Sequence, residues 1–315
     1  RKKINPEGFV KDSRWVIFPR LTYQNHLKIE SRQPVLAEDF SSYRFNILTG
    51  SGKKGIATGG ISYAYTREAL GNDSSCKVLK IATAHPFPEK LALDFLRDLD
   101  EVLVIEELDP VIEKELTYLC GKHHLNLKIK GKLTGDTANA GENTVESVTA
   151  AINTFLGYVS ETAVSQKLPS LPIRPPVLCA GCPHRASFYA VKQAMKGKKA
   201  VFSGDIGCYT LGNAAPLDMV DTCLCMGAGI TVAQGLHRVE PDAVNFAFIG
   251  DSTFFHTGIP GIINAVYNET DIVIIVLDNS TTAMTGHQPH PGTGRTMMGE
   301  ISEKISIPGV LTALG

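Results

Sequence analysis

The chain has 315 residues, 43% of them hydrophobic, which is enough for two domains with separate cores. Its 31 Lys and Arg balance 32 Asp and Glu to a net charge of −1, so no basic face points to nucleic acid and no strong electrostatic partner is implied. The longest apolar run, Ile272 to Leu277, falls far short of the ~20 residues needed to cross a bilayer, which argues against a membrane protein.

The first residues, Arg1 to Pro6, contain neither an initiator Met nor an apolar signal core, and the last, Thr312 to Gly315, read as part of a helix. A fragment of a longer protein, truncated at its C-terminus, is expected. Residues 1–45 are polar and irregular, with Pro19 and Pro34, and read as a connector.

Residues 46–130 read as a small α/β domain. Candidate strands are Gly55–Thr58, Val78–Ala82, Val102–Ile105 and Leu127–Ile129. Between them Ile61–Leu70, Glu89–Asp98 and Pro110–Leu119 carry apolar residues three and four apart, as helices crossing a parallel sheet require. Residues 131–176 read as a linker with one helix near Val145–Leu156 and a Pro-rich run from Pro169 to Pro176.

From Val177 to Gly315 the alternation resumes with strand Ala200–Phe202, helix Gly229–Leu236, strand Val244–Ile249, helix Ile259–Tyr267 and strand Ile272–Leu277. The fold class is α/β, with two doubly wound parallel-sheet domains joined by a linker. Ligands of such sheets sit beyond the carboxyl ends of the strands, here the loops 203–212, 250–258 and 278–294.

Two strand tips stand out. Val244–Ile249 runs into Gly250-Asp251-Ser252, and the next strand runs into Asp278-Asn279-Ser280-Thr281. Neighbouring strands lie ~4.8 Å apart, so a carboxylate from one tip and an amide oxygen from the next can share one cation. Mg²⁺ takes about six hard oxygens, and an Asp, an Asn and a backbone carbonyl leave room for a diphosphate. Gly250 lets the backbone approach a phosphate, and a helix starting near Gly258 would turn its positive end to the site. By spacing alone a plainer reading stands equally: Asp251 caps a helix and Asn279 sits in a turn.

Gly250-Asp251-Ser252, followed 28 positions after Asp251 by Asn279 at the end of an apolar strand, resembles the thiamine diphosphate signature, which usually begins Gly-Asp-Gly, with Ser252 in place of its second Gly. Wider motifs narrow this. Cys179-Ala180-Gly181-Cys182-Pro183-His184-Arg185, Gly204-Asp205-Ile206-Gly207-Cys208-Tyr209, and Asp278 through Gln288 resemble the alpha subunit of indolepyruvate ferredoxin oxidoreductases, and residues 55–115 are similar to that family's middle, transketolase C-terminal-like domain.

The resemblance implies thiamine diphosphate-dependent oxidative decarboxylation of aryl-2-oxoacids, with coenzyme A accepting the acyl group and ferredoxin the electrons, in partnership with a beta subunit. A cofactor shared between domains would make another chain or segment cover this site, so an oligomer is expected, and the cysteine usage points to a reducing cytoplasm. Carried over residue by residue, Asp251 and Asn279 bind Mg²⁺ through side chains and Thr281 through its carbonyl. Gly207, Cys208, Gly250, Ser252, Thr285 and Gly286 are expected to approach the cofactor. Such enzymes also need a pyrimidine-binding domain, which these residues do not supply, so the chain alone is expected to be nearly inactive.

Seven cysteines include the close pairs Cys179/Cys182 and Cys223/Cys225, which in a reducing compartment favour metal ligation or redox work over disulfides. Cys179, Cys182 and Cys208 could converge on an iron-sulfur cluster, [4Fe-4S] in the related oxidoreductases, or on zinc, or be small buried residues. No Cys follows Cys225, so a fourth ligand would be Cys223, Cys225 or a residue beyond Gly315. Cys76 and Cys120 read as core packing.

His184, His256, His287 and His290 are expected in loops at the cofactor edge. His184 and His287 are the catalytic candidates because they flank the quoted motifs. Arg295 is a weaker candidate for a substrate carboxylate. Two other functions compete with the leading one. A non-oxidative thiamine decarboxylase or synthase would have no use for the cysteines, and a cofactor-free assembly module would use the Asp251 loop only structurally.

Overall fold

A computed structural model describes residues 8–158 and 171–315. The chain divides into two compact units, one up to Leu168 and one from Pro169. In the first unit a helix, α1 (Pro19–Ser41), precedes β1 (Ile47–Thr49), β2 (Lys54–Gly59), α2 (Gly60–Leu70), β3 (Lys77–Ile81), α3 (Glu89–Leu96), β4 (Glu101–Ile105), α4 (Val111–Lys122), β5 (Lys128–Lys130) and α5 (Val145–Leu156). The sheet order is β1-β3-β2-β4-β5, and every pair is parallel except β1 with β3.

Successive strand residues point to opposite faces, and β4 divides accordingly. Val102 and Val104 pack with Phe95 and Leu116 on the α3/α4 face, while Leu103 and Ile105 pack with Val148, Ile152 and Phe155 on the α5 face. The Val145–Leu156 helix, expected within a linker, is therefore built into this unit's core. Thr144 caps it through the Ser147 backbone amide, and Gly157 ends it in the left-handed region.

Residues 1–45 also depart from the irregular connector expected of them, because 19–41 form a 23-residue helix with Pro34 inside it. Pro19 at the first helical position has no N–H to lose and suits a helix start. The helix buries no residue and is held to α3 by Lys90 with Glu38 (2.8 Å) and by the Leu91 amide donating to the Ser41 hydroxyl. With no apolar stripe and an internal proline, its pattern carried no helical signal.

The second unit contains α6 (Pro183–Ala194), β6 (Ala200–Ser203), α7 (Ala228–Val239), β7 (Val244–Gly250), α8 (Asp251–Thr253), α9 (Ile259–Tyr267), β8 (Val273–Leu277) and α10 (Ile307–Leu314). Its three-stranded parallel sheet has the order β6-β7-β8. Phe246 and Phe248 of β7 face Phe188, Tyr209 and Met219, whereas Ala247 and Ile249 face Ile230, Ala233 and Ile262. Both faces are covered, which is why β7 reads as a nearly continuous apolar run. The carboxyl ends of all three strands open onto one edge.

Candidate cofactor site

At that edge β7 passes straight into a helix. Gly250 is the N-cap, and the helical path runs through α8, a π-helical turn at Phe254–Gly258, and α9. The helix thus begins at Asp251 rather than near Gly258 as expected, which puts the aspartate in the first turn, where backbone N–H groups are unpaired and negative charge is favoured. A π-turn this close to a strand tip is of a kind that often marks functional sites.

Asp251 is fully buried. Its Oδ2 accepts the backbone N–H of Asn279 (3.2 Å) and of Ser280 (2.7 Å), and Oδ1 accepts the N–H of Ser252 (2.8 Å). One carboxylate therefore ties together the tips of β7 and β8. A second bond joins the same loops, with the Thr282 hydroxyl donating to that of Ser252 at 2.9 Å. The Asn279 amide oxygen accepts the Thr281 N–H at 3.2 Å, an Asx turn, so both plain readings of these residues are met alongside the juxtaposition.

Other groups crowd the carboxylate. Nε2 of His290 lies 3.1 Å from Oδ2. A Cβ on Gly250 would overlap the ring of Tyr209, so only glycine fits beneath that ring. Burial, then the charges of Asp251, Cys208, Asp205 and Asp278, raise the Tyr209 hydroxyl well above its ordinary value, which keeps it protonated. Asp205, also fully buried, accepts the Gly227 N–H at 2.9 Å and the Gly250 N–H at 3.4 Å. Burial opposes ionisation of Asp278, but the Ser280 N–H, the neighbouring Asp251 carboxyl, the Ser280 hydroxyl and His290 together outweigh it and bring its carboxyl below the usual range.

Three aspartates, 205, 251 and 278, therefore surround one tyrosine, and among the described residues none of Asp205, Asp251 and Asp278 has an ion pair with Lys or Arg. Asp205 and Asp251 are buried carboxylates without a Lys or Arg partner, which is costly, and a carboxylate beside amide and carbonyl oxygens is a donor set that suits a hard divalent cation. The residues present fit Mg²⁺.

The other expected site residues fall into two groups. His184 belongs to the site, although it is the second residue of α6 and buried rather than in a loop. Its ring lies 5.3 Å from that of Tyr209. Burial holds its imidazole below the ordinary value, with Asp251 partly opposing. His287, Thr285 and Gly286 lie instead on an exposed turn, closed by Thr285 donating to the Gln288 side chain at 2.7 Å. Gly286 and His287 both have positive φ there, and His287 Nδ1 is 3.4 Å from the Thr281 hydroxyl. Gly207 (φ 131°) precedes Cys208 in the loop after β6. Arg295 is exposed and bonds only locally, to the Gly299 carbonyl. His256 is exposed on the π-turn.

Cys179, Cys182 and Cys208 share a neighbourhood: burial, then Cys182 and Cys179, push the Cys208 thiol up. Even so, among the described residues no group of three or more His, Cys, Asp or Glu side chains is arranged to hold a metal ion, so as they stand the cysteines do not fit a cluster. The magnesium set is of a different kind, one carboxylate with amide and carbonyl oxygens. Cys76 is buried and Cys120 half-buried, consistent with packing. No described helix is long and apolar enough to cross a membrane.

His290, Asp205 and Tyr209 are neighbours of Asp251 and its loop that sequence reasoning did not single out. His290 was one of four loop histidines, and Asp205 and Tyr209 lay inside a quoted motif, but nothing in their spacing showed that they meet at Asp251.

Comparison with known proteins gives a consistent result. Residues 205–315 match the thiamine pyrophosphate enzyme, C-terminal TPP binding domain. The indolepyruvate oxidoreductase subunit IorA of Archaeoglobus fulgidus is 44% identical over 286 residues, covering 88% of this chain and 45% of that protein. The subunit of the same name from Pyrococcus horikoshii is 37% identical over 99% of this chain and 50% of its own length. The 2-oxoglutarate synthase subunit KorB of Archaeoglobus fulgidus is 32% identical over 124 residues, 38% of this chain and 46% of that protein. The chain spans about half the length of the indolepyruvate oxidoreductase subunits it matches. Over most of its length it is similar to the indolepyruvate oxidoreductase subunits IorA, and within residues 205–315 to the C-terminal domain of thiamine pyrophosphate enzymes.

Proposed function

We propose that this chain holds the Mg²⁺-diphosphate end of thiamine diphosphate within an indolepyruvate:ferredoxin oxidoreductase, which converts aryl-2-oxoacids to acyl-coenzyme A. The observation that carries the proposal is the Asp251 carboxylate accepting both backbone amides at the Asn279–Ser280 tip. Asp251 and Asn279 would hold the cation through side chains and Thr281 through its carbonyl, with Gly250 and Ser252 lining the phosphate side. When bound, the cofactor's thiazolium supplies the carbanion and the electron sink for decarboxylation.

The chain's own residues do the rest. Asp205 holds the Gly227 and Gly250 amides in place. Tyr209, kept protonated, fills the space beside Gly250, and the neighbouring His184 stays neutral. Residues 46–130 would serve as the middle domain and 177–315 as the diphosphate domain, with 131–176 between them and 1–45 leading in. A beta subunit, ferredoxin, coenzyme A and the oxoacid are the partners of this reading, in an oligomeric cytoplasmic enzyme.

Isothermal titration with Mg²⁺ and thiamine diphosphate tests it. Heat is expected with the parent chain and none with Asp251→Ala, and equal heats would instead favour the assembly module. The cysteines, which as placed do not fit a cluster, are tested separately. Iron and sulfide in the anaerobically purified full-length protein would support cluster chemistry, and their absence there would favour the non-oxidative alternative.

A further inference from the structure

We infer that His290 is a positioning residue for the cation: it fixes the Asp251 carboxylate by a directed hydrogen bond from a locked tautomer. This inference rests on the cofactor reading above. The backbone N–H of Gly292 donates to Nδ1 of His290 at 3.2 Å. A backbone N–H can only donate, so Nδ1 is the acceptor and the ring proton sits on Nε2. That proton is directed at Oδ2 of Asp251, 3.1 Å away.

The ring has little freedom to turn. It stacks on Phe255 with centroids 5.8 Å apart and planes at 29°, and Phe255 belongs to the π-turn that follows Asp251. A Cβ on Gly292 would lie 3.1 Å from both rings, so the chain turns there without a side chain to displace them. The His290 carbonyl is held in turn by the Thr293 N–H and hydroxyl, each at 2.8 Å. The histidine side chain is only 4% exposed and its partner carboxylate 0%.

The donor count on Asp251 is uneven. Oδ2 takes three donors, from Asn279, Ser280 and His290, whereas Oδ1 takes only the Ser252 N–H. Oδ2 is saturated and the rotamer is set, which leaves Oδ1 as the oxygen with capacity for a cation. A group that orients a metal-binding carboxylate in this way acts through its partner without touching the metal.

Three variants of the full chain test the inference, with Mn²⁺ as the probe in the presence of thiamine diphosphate and binding read by electron paramagnetic resonance. H290F keeps the ring and its stacking but removes the donor. It is expected to weaken Mn²⁺ binding by about tenfold or more while the melting temperature without ligand shifts by less than about 3 °C. H290Q returns an N–H near the position of Nε2 and is expected to recover most of the affinity. Parent-like affinity in H290F overturns the inference, as does an H290Q as weak as H290F. Should H290F not fold, H290Q decides alone: near-parent affinity supports the role and a loss of about tenfold overturns it. D251A separates the two levels, because an unimpaired D251A, or a parent chain that does not bind, sinks the cofactor reading. A D251A that loses binding beside an unimpaired H290F sinks only the role of His290.

Discussion

Each unit carries an acidic residue just past a central strand, and the two are used differently. Glu106, immediately after β4, turns back on its own connection and accepts the Ile112 and Glu113 amides at 2.8 and 3.0 Å, capping α4. Glu113 then accepts the Lys132 and Leu133 amides and pins the loop after β5. Asp251, immediately after β7, reaches sideways to the tip of β8 and to His290. A carboxylate spent on its own helix stabilises a connection, whereas one spent on a neighbouring strand tip ties two elements together at the sheet edge. Position at a strand end does not separate these outcomes; the partner does.

The largest expected effect breaks the comparison directly. Asp251→Ala should weaken magnesium-dependent cofactor binding by about 2–5 kcal/mol, the usual loss for truncating a buried, hydrogen-bonded charge. Glu106→Gln should leave that heat unchanged and lower unfolding stability by about 1–3 kcal/mol, because a buried amide loses its acceptor. Titration calorimetry and urea unfolding on both variants check this, and a Glu106→Gln that lost cofactor heat would erase the distinction.

Gly250→Ala comes next. Its Cβ would meet the Tyr209 ring, and overpacking of this kind costs about 1–3 kcal/mol. Chemical denaturation reads the loss, and a stability equal to the parent's would show that the ring moves freely. Asp205→Asn should cost less, about 1 kcal/mol, because a neutral oxygen still accepts one of the two amides that the carboxylate holds.

The smallest effect is the pH dependence of His184. Burial lowers its value from the ordinary 6.5, with Asp251 partly opposing, so the native protein binds fewer protons here than the unfolded chain. Its contribution to stability is complete above that ordinary value and declines as pH falls through it toward the lower native one. His184→Gln should flatten the slope of stability against pH in that window, and an unchanged slope would contradict the assignment.

Much of the fold was legible because its strands are β-branched runs with fixed punctuation. The β-branched run at Val273–Leu277 read as a strand and forms one, although as the edge strand of its sheet it is only partly buried, and Ile259–Tyr267 carried a helical stripe to its observed ends. Helix α1 was not legible, since it buries nothing and contains Pro34. Helix α6 was hidden behind the cysteine motif: Cys182 caps it and Pro183 begins it, a start signal that reads equally well as a turn.

The site was legible in part. Asp251 and Asn279 were found from strand ends and spacing, because parallel neighbours bring their tips together whatever the intervening helix does. His290 was not separable from the other loop histidines, because its contact with Asp251 depends on how the chain closes after the exposed 282–288 turn. Local pattern does not encode that closure. His287 stood out through motif context, yet its side chain contacts Thr281 on the exposed turn, whereas the histidine that touches Asp251 is His290.

The most direct measurement is a crystal of this chain grown with thiamine diphosphate and Mn²⁺ in place of Mg²⁺, with anomalous data collected near the manganese edge. The account predicts one strong peak between the tips of β7 and β8, about 2.1–2.2 Å from an Asp251 carboxylate oxygen and from the Asn279 amide oxygen. A bound coenzyme whose metal peak lay away from both residues would contradict it.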